Sequence, residues 1–206
     1  MTSKIKQEVK PKTRNQRFRE LESAYDNDLF ATTIETAKDY LKDHPDSILA
    51  RLYLGISLYE YARYEEAKVE LRKVIKDCQP DVLYIPLCHM GHLYKLKGDY
   101  KNAAAWYRRA SESYPSYAGC LIFLGSILAL QGKLSEAEEC HRKATKCKSG
   151  DIAEAYLNLG MVIRAQGRYA EALKCFEKAL RIAPKYKAAK HEIKDLQKVL
   201  EIIKRK

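Results

Sequence analysis

The residue types best suited to chemistry in this sequence are its cysteines and histidines. Cys88 and His92 stand four residues apart, so a helix places both on one face. Such a pair gives a metal ion two soft ligands, which is fewer than a zinc site requires. Cys140, His141 and Cys147 form a second group, but the seven-residue spacing of its cysteines is typical of core positions. The sequence therefore predicts structural cysteines and no metal site.

Sequence motifs of common enzymes do not occur in the chain. A glycine-rich phosphate loop, the His-Glu-x-x-His zinc motif and the Gly-x-Ser-x-Gly nucleophile motif are all missing. His44, His141 and His191 are scattered along the chain, at positions that suit packed or solvated side chains. We therefore expect no catalytic residue, no cofactor and no enzymatic activity.

The cysteines also predict a cellular location. They lie in periodic apolar segments, and residues 1–21 are rich in Lys and Arg without the apolar core of a secretory signal. Free thiols in a reducing compartment are expected, and the predicted location is the cytoplasm. No apolar stretch approaches the roughly 20 residues that cross a bilayer. The six cysteines are Cys78, Cys88, Cys120, Cys140, Cys147 and Cys175.

The net charge of +11 is concentrated at the two ends of the sequence. Residues 1–19 carry seven Lys or Arg and one acidic residue, a net +6, while residues 185–206 carry eight against three, a net +5. The segment between them is balanced. Residues 1–13 are predicted to be a basic, disordered tail. An RNA or an acidic lipid surface would bind at these ends.

A repeat organises the middle of the chain. Glycine follows Leu or Met at four positions with spacings of 36, 34 and 35 residues, and an alanine comes twelve residues after each glycine. Glycine inside a helix costs about 1 kcal/mol relative to alanine. Close packing of two helices, glycine against alanine, is expected to compensate for this cost. The four pairs are Leu54-Gly55, Met90-Gly91, Leu124-Gly125 and Leu159-Gly160.

Each repeat is predicted to hold two amphipathic helices joined by a short break. Apolar residues at three- and four-residue spacing mark the first helix, as in Leu121, Leu124 and Leu128. Glycine in the left-handed conformation is expected to end that helix. The breaks are Ala62-Arg63, Gly98-Asp99, Gly132-Lys133 and Gly167-Arg168, of which Ala62 departs from the pattern.

Leu-Gly followed by Ala, an aromatic residue, a second Ala and Pro, at a period of ~34 residues, resembles the tetratricopeptide repeat. Residues 84–117 and 153–184 resemble it well, while residues 48–81 and 118–150 have Leu71 and His141 where an aromatic residue is usual. Residues 14–47 resemble a degenerate first repeat with Leu21 in place of glycine. Whether residues 14–30 pack as a true repeat is left open.

The resemblance implies an all-α fold, a right-handed α-solenoid of helix-turn-helix repeats over residues 14–184. Because an end repeat exposes an apolar face, residues 185–206 are expected to form a basic, amphipathic capping helix. The apolar stripe of this helix is Ile193, Leu196, Leu200 and Ile203.

The resemblance also implies a concave groove lined by the first helices, where family members bind peptides or helices. Helical geometry places a largely apolar lining one turn from each glycine. An alternative interpretation assigns about half of this lining to junctions between neighbouring repeats. The predicted peptide-binding residues are Leu52, Ile56, Tyr59, Cys88, His92, Lys95, Ile122, Ser126, Leu157, Asn158, Met161 and Arg164.

These features favour a non-catalytic adaptor or assembly factor that binds an apolar peptide or helix of a protein partner. Capture of an acidic chaperone tail is not expected, because Lys95 and Arg164 are single cations and do not form the family's basic clamp. Two alternatives stay open, a client-specific chaperone of the same fold and an electrostatic module that binds RNA or acidic lipid through its basic ends. Assembly into a homo-oligomer is also left open.

Overall fold

The structure, a computed structural model that describes residues 13–204, is built from paired α-helices. In this range the regular structure consists of eleven α-helices and a short 3-10 helix at Pro80–Val82, and no strand forms beyond one isolated bridge. The all-α prediction is confirmed. No helix in the described range has the length and apolar character needed to span a membrane. The predicted tail, apart from Thr13, lies outside the described residues. The helices are α1 (Arg14–Asp26), α2 (Phe30–Asp43), α3 (Ile48–Glu60), α4 (Tyr64–Asp77), α5 (Tyr84–Leu96), α6 (Tyr100–Ser113), α7 (Ala118–Leu130), α8 (Leu134–Ala144), α9 (Ile152–Ala165), α10 (Tyr169–Ile182) and α11 (Lys187–Lys204).

The helices belong to two compact units, one ending at Asp77 and the other beginning at Cys78. The N-terminal unit contains α1–α4, in which α1 packs against α2, α2 against α3 and α3 against α4. The C-terminal unit contains α5–α11, which pack in the same sequential way. This sequential packing buries the apolar stripe of each helix against its neighbours in the chain.

Three residues separate the two helices of each pair, and the middle one has a positive φ. Gly98, Gly132 and Gly167 have φ values between 74° and 78°, which confirms the predicted left-handed breaks. Ala62 (φ 58°) and Asp28 (φ 56°) adopt the same conformation with a side chain, at a cost of roughly 1 kcal/mol each. The break places the second helix back against the first.

The four periodic glycines make room for large side chains of the second helix. A Cβ added to Gly91 would lie 2.5 Å from Cε1 of Tyr107, and one added to Gly125 would lie 2.6 Å from Cε1 of His141. The predicted alanine is therefore not the nearest neighbour of these glycines. The partner is the residue sixteen positions further on, which lies directly over the backbone of the first helix. The same spacing holds for Gly55 with Leu71 and for Gly160 with Phe176.

The first helix pair reverses these sizes. Leu21 stands where the other pairs have glycine, and Ala37, sixteen residues later, stands where they have the large residue; both are fully buried. The rings of Phe18 and Tyr40 lie 5.4 Å apart between their centroids, and Arg17 donates to two aspartates of α2. Residues 14–26 therefore pack as the first helix of a pair, which answers the question that the sequence left open.

Helix α11 covers the last pair with one apolar face. Ala189 and Leu196 are fully buried in a core cluster that also contains Ile163 of α9 and Phe176 of α10. The predicted stripe is correct in this part of the helix. Ile203 is 48% exposed, however, so the covering face ends before it.

Candidate interaction surface

Five of the twelve residues predicted to line a groove are buried. Ile122 belongs to a core cluster with Ala155 of α9, and Leu157 belongs to one with Leu196 of α11. Helices that follow in the chain cover this face of α7 and of α9, which the spacing within one helix does not reveal. These side chains are core residues and do not line an open surface. The five are Ile56, Tyr59, Cys88, Ile122 and Leu157, each 7% exposed or less.

His92 is held by the second helix of its own pair. Its Nδ1 lies 2.8 Å from the hydroxyl oxygen of Tyr107, and its ring meets Phe123 edge-on at a centroid distance of 4.7 Å. Burial, followed by the charge of Lys95, lowers the pKa of His92 to about 4. The imidazole is therefore neutral at neutral pH, and it supports the packing of α5, α6 and α7.

The other polar residues of the predicted lining make mostly local contacts. Ser126 donates its hydroxyl to the carbonyl oxygen of Ile122, one turn earlier, at 2.9 Å. The side chain of Asn158 acts to lower the pKa of Glu154, also one turn earlier, although burial raises that pKa overall. Lys95 is exposed and Leu52 is half-buried. For accessible residues such as Lys95, the binding role remains a prediction.

Arg164 links α9 to α11. Its Nη1 donates to Oε2 of Glu192 at 2.6 Å, and its Nη2 donates to Oδ2 of Asp195 at 2.5 Å. One guanidinium faces two carboxylates, so this cluster of three side chains carries a net charge of −1. Arg164 is therefore engaged by the chain itself and is not the free cationic contact that the sequence suggested.

A cavity of about 380 Å³ opens beside this ion pair, among α9, α10 and α11. Met161 lies at this cavity with 48% of its surface exposed, the most of any apolar residue in the predicted lining. Sequence reasoning identified Met161 and Arg164 but missed Val199, although its three-residue spacing from Leu196 continues the apolar face of α11. The full lining is Met161, Arg164, Ala165, Tyr169, Glu192 and Val199.

The cysteines and histidines do not assemble a metal centre in the described part of the chain. No three His, Cys, Asp or Glu side chains between residues 13 and 204 are arranged to hold a metal ion. Cys88 contacts Cys120, with 3.3 Å between the sulfur atoms, while His92 contacts Tyr107. His141 is 1% exposed, and burial lowers its pKa to about 4. These contacts assign the residues to packing.

Comparison with known proteins connects this architecture to one family. Models of the tetratricopeptide repeat match residues 49–79, 86–117 and 153–186. The chain is 32% identical over 123 residues to the protein O-mannosyl-transferase TMTC2 of Homo sapiens, covering 56% of this chain and 14% of that protein. It thus spans about a seventh of that relative's length.

Solved structures share the fold at low sequence identity. The MamA protein superposes with a TM-score of 0.64 at 21% identity, over 84% of this chain and 95% of that one. YrrB, described as a tetratricopeptide repeat protein with an unusual peptide-binding site, superposes with a TM-score of 0.61 at 19% identity, over 88% of this chain and 92% of that one. At these identities the likeness establishes the fold.

Proposed function

Because the chain is a tetratricopeptide repeat protein, we propose that it is a non-catalytic adaptor whose C-terminal unit binds an apolar segment of a partner protein. The observation that carries this proposal is the exposure of Met161 at the cavity among α9, α10 and α11. A ligand side chain seated there would bury Met161 and Val199. Removing apolar surface from water contributes about 25 cal/mol per Å². The peptide-binding site described for YrrB supports a peptide as the ligand.

The charges beside the cavity restrict the chemistry of that peptide. Glu192 and Asp195 outnumber Arg164 by one charge, so a Lys or Arg next to the apolar anchor would find a complementary carboxylate. An acidic peptide would meet the same two carboxylates and be repelled. We therefore propose an apolar anchor with a basic neighbour, presented by an extended or helical segment.

Several finer points stay predictions. They are the absence of enzymatic activity, the cytoplasmic location, the client-specific chaperone role, the homo-oligomer and the binding of RNA or acidic lipid by the basic ends. Salt separates the last of these from the proposal, because contacts between cations and phosphates weaken steeply as salt rises, whereas burial of apolar surface does not.

The proposal is tested by selecting binders from a displayed library of random peptides on the full chain at moderate salt. The affinity of a selected peptide is then measured by fluorescence anisotropy for the wild type, for Met161→Glu and for Val69→Glu. Val69 is 51% exposed on α4 and provides a matched control in the N-terminal unit. Met161→Glu is expected to weaken binding at least about tenfold, or 1.4 kcal/mol, while Val69→Glu leaves it unchanged.

Equal binding to Met161→Glu and to the wild type would refute this site. Selection of acidic peptides alone, with binding lost at high salt, would instead favour the basic ends as the functional surface. Leu157→Glu is not suitable for this test, since Leu157 is buried and its replacement would disturb the fold.

A further inference from the structure

Two cysteines of the C-terminal unit lie in direct contact. The sulfur atoms of Cys88 on α5 and Cys120 on α7 are 3.3 Å apart, and the two residues are 7% and 0% exposed. The sulfur–sulfur bond of a disulfide is about 2.05 Å long, so the two sulfur atoms need to approach each other by only about 1 Å to form one. The two side chains come from the first helices of neighbouring pairs, which pack against each other within one unit.

The two sulfur atoms are chemically unequal. The sulfur atoms of Cys88 and Cys120 share a hydrogen bond, which lowers the pKa of Cys120 although burial acts against it. The same bond, together with burial, raises the pKa of Cys88. Burial raises the pKa of Cys140, Cys147 and Cys175. Cys120 is therefore the sulfur best prepared to act as a thiolate nucleophile.

We propose that Cys88 and Cys120 form an oxidisable dithiol, which a small peroxide converts into a disulfide that joins α5 to α7. The Cys120 thiolate attacks one oxygen of hydrogen peroxide, the O–O bond breaks, and Cys120 becomes a sulfenic acid with release of hydroxide. The Cys88 sulfur then attacks the sulfur of the sulfenic acid. Its S–H proton goes to the departing hydroxide, giving one water, and the proton that Cys120 lost on ionising neutralises the hydroxide of the first step, giving the second. Two thiols and one peroxide thus yield one disulfide and two waters.

A peroxide fits this site better than a larger disulfide oxidant. Both sulfur atoms are shielded by the surrounding helices, so glutathione disulfide could reach them only if α5 and α7 separated. Hydrogen peroxide is close to water in size and needs only a local opening. The resulting cross-link would close the chain from residue 88 to residue 120 around α6, which restricts the unfolded chain and stabilises the C-terminal unit.

The test treats the full chain with hydrogen peroxide under native conditions, alkylates the remaining thiols after denaturation and maps tryptic peptides by mass spectrometry. Residues 110–133 form a peptide whose one cysteine is Cys120, whereas residues 77–95 contain Cys78 as well as Cys88. Cys78→Ser is therefore the background for all measurements. We expect a cross-linked species of these two peptides that loses two hydrogens and separates again with dithiothreitol.

Three variants in that background complete the test. Cys88→Ser and Cys120→Ser are each expected to abolish the cross-link, while Cys147→Ser, which removes a partly exposed cysteine, should retain it. The parent protein should also melt at a higher temperature after oxidation and return to its original Tm on reduction, with no such change in Cys88→Ser.

Complete alkylation of both cysteines after peroxide treatment would overturn the proposal. So would sulfinic acid at Cys120 without a cross-link, or a disulfide that joins two chains on a non-reducing gel. None of these measurements depends on the peptide-binding proposal.

Discussion

The α5/α6 and α7/α8 pairs of the C-terminal unit solve one packing problem with different side chains. Tyr107 lies over Gly91 and His141 over Gly125, at nearly equal distances from the added Cβ. The hydroxyl of Tyr107 is bonded to His92, whereas Nδ1 of His141 has no partner among the described residues. The repeat therefore specifies a large ring over the glycine. Whether the polar atom of that ring has a hydrogen-bond partner depends on the side chains of the first helix.

The residue after each glycine decides that difference. His92 follows Gly91 directly and turns towards Tyr107. Ser126 follows Gly125, but its hydroxyl donates to a carbonyl of its own helix instead. The corresponding residues of the other two pairs are apolar: Ile56, which follows Gly55, is buried, whereas Met161, which follows Gly160, is 48% exposed. Residues at one position of the repeat thus support a large ring, form a hydrogen bond within their own helix, or remain available as a candidate ligand contact.

The largest effect is expected from removing the ring over the glycine. Tyr107→Ala should lower the free energy of unfolding by about 3–5 kcal/mol, because a large and fully buried side chain leaves a cavity. His141→Ala should cost about half as much, since its ring is smaller and its unpaired nitrogen is removed as well. Urea unfolding followed by the fluorescence of Trp106, the single tryptophan, measures both.

The first helix pair supplies the control for this prediction. Gly91→Leu combined with Tyr107→Ala copies the arrangement of Leu21 and Ala37. The free energy of unfolding of the double variant should exceed that of Tyr107→Ala by about 1 kcal/mol or more. Gly91→Leu alone should be destabilised by its clash with Tyr107. A double variant no more stable than Tyr107→Ala would show that the first pair relies on features other than this exchange of sizes.

Acid should reveal the burial of His141 in the α7/α8 pair. Its pKa is about 4 in the folded chain, compared with about 6.5 when unfolded, so between these values the unfolded state binds the proton first. Stability must therefore fall as the pH drops from 6.5 towards 4. His141→Phe removes this contribution, and at pH 5 the variant should lose about 2 kcal/mol less than the wild type.

Two histidines of α5 act in the same direction. Burial lowers the pKa of His92 to about 4 and that of His89 to about 3, so the variant keeps part of the acid sensitivity. Urea titrations at several pH values between 7 and 5 measure the slopes. Equal slopes for wild type and His141→Phe would mean that His141 is as easily protonated in the folded state as in the unfolded one.

The sequence predicts four of the helix pairs and their breaks because glycine at a fixed period marks both, and it identifies Ala62 as an exception but not Asp28. It does not predict which residue lies over each glycine, since spacing along one helix carries no information about the rotation of its partner. The pairing of Arg164 with Glu192 and the contact of Cys88 with Cys120 join residues 28 and 32 positions apart. Such contacts depend on the packing of successive pairs, which periodicity alone leaves undetermined.

The smallest effect, and the one most specific to the comparison, is a change of opposite sign at the two rings. His141→Phe should stabilise the chain by about 1 kcal/mol at neutral pH, because it removes a buried nitrogen without a partner and keeps a ring over Gly125. Tyr107→Phe should destabilise it by a similar amount, since it leaves Nδ1 of His92 unpaired. Thermal unfolding of both variants shows whether the two changes in stability have opposite signs. Loss of stability in both would show that the fit of the ring, and not the fate of its polar atom, controls this position.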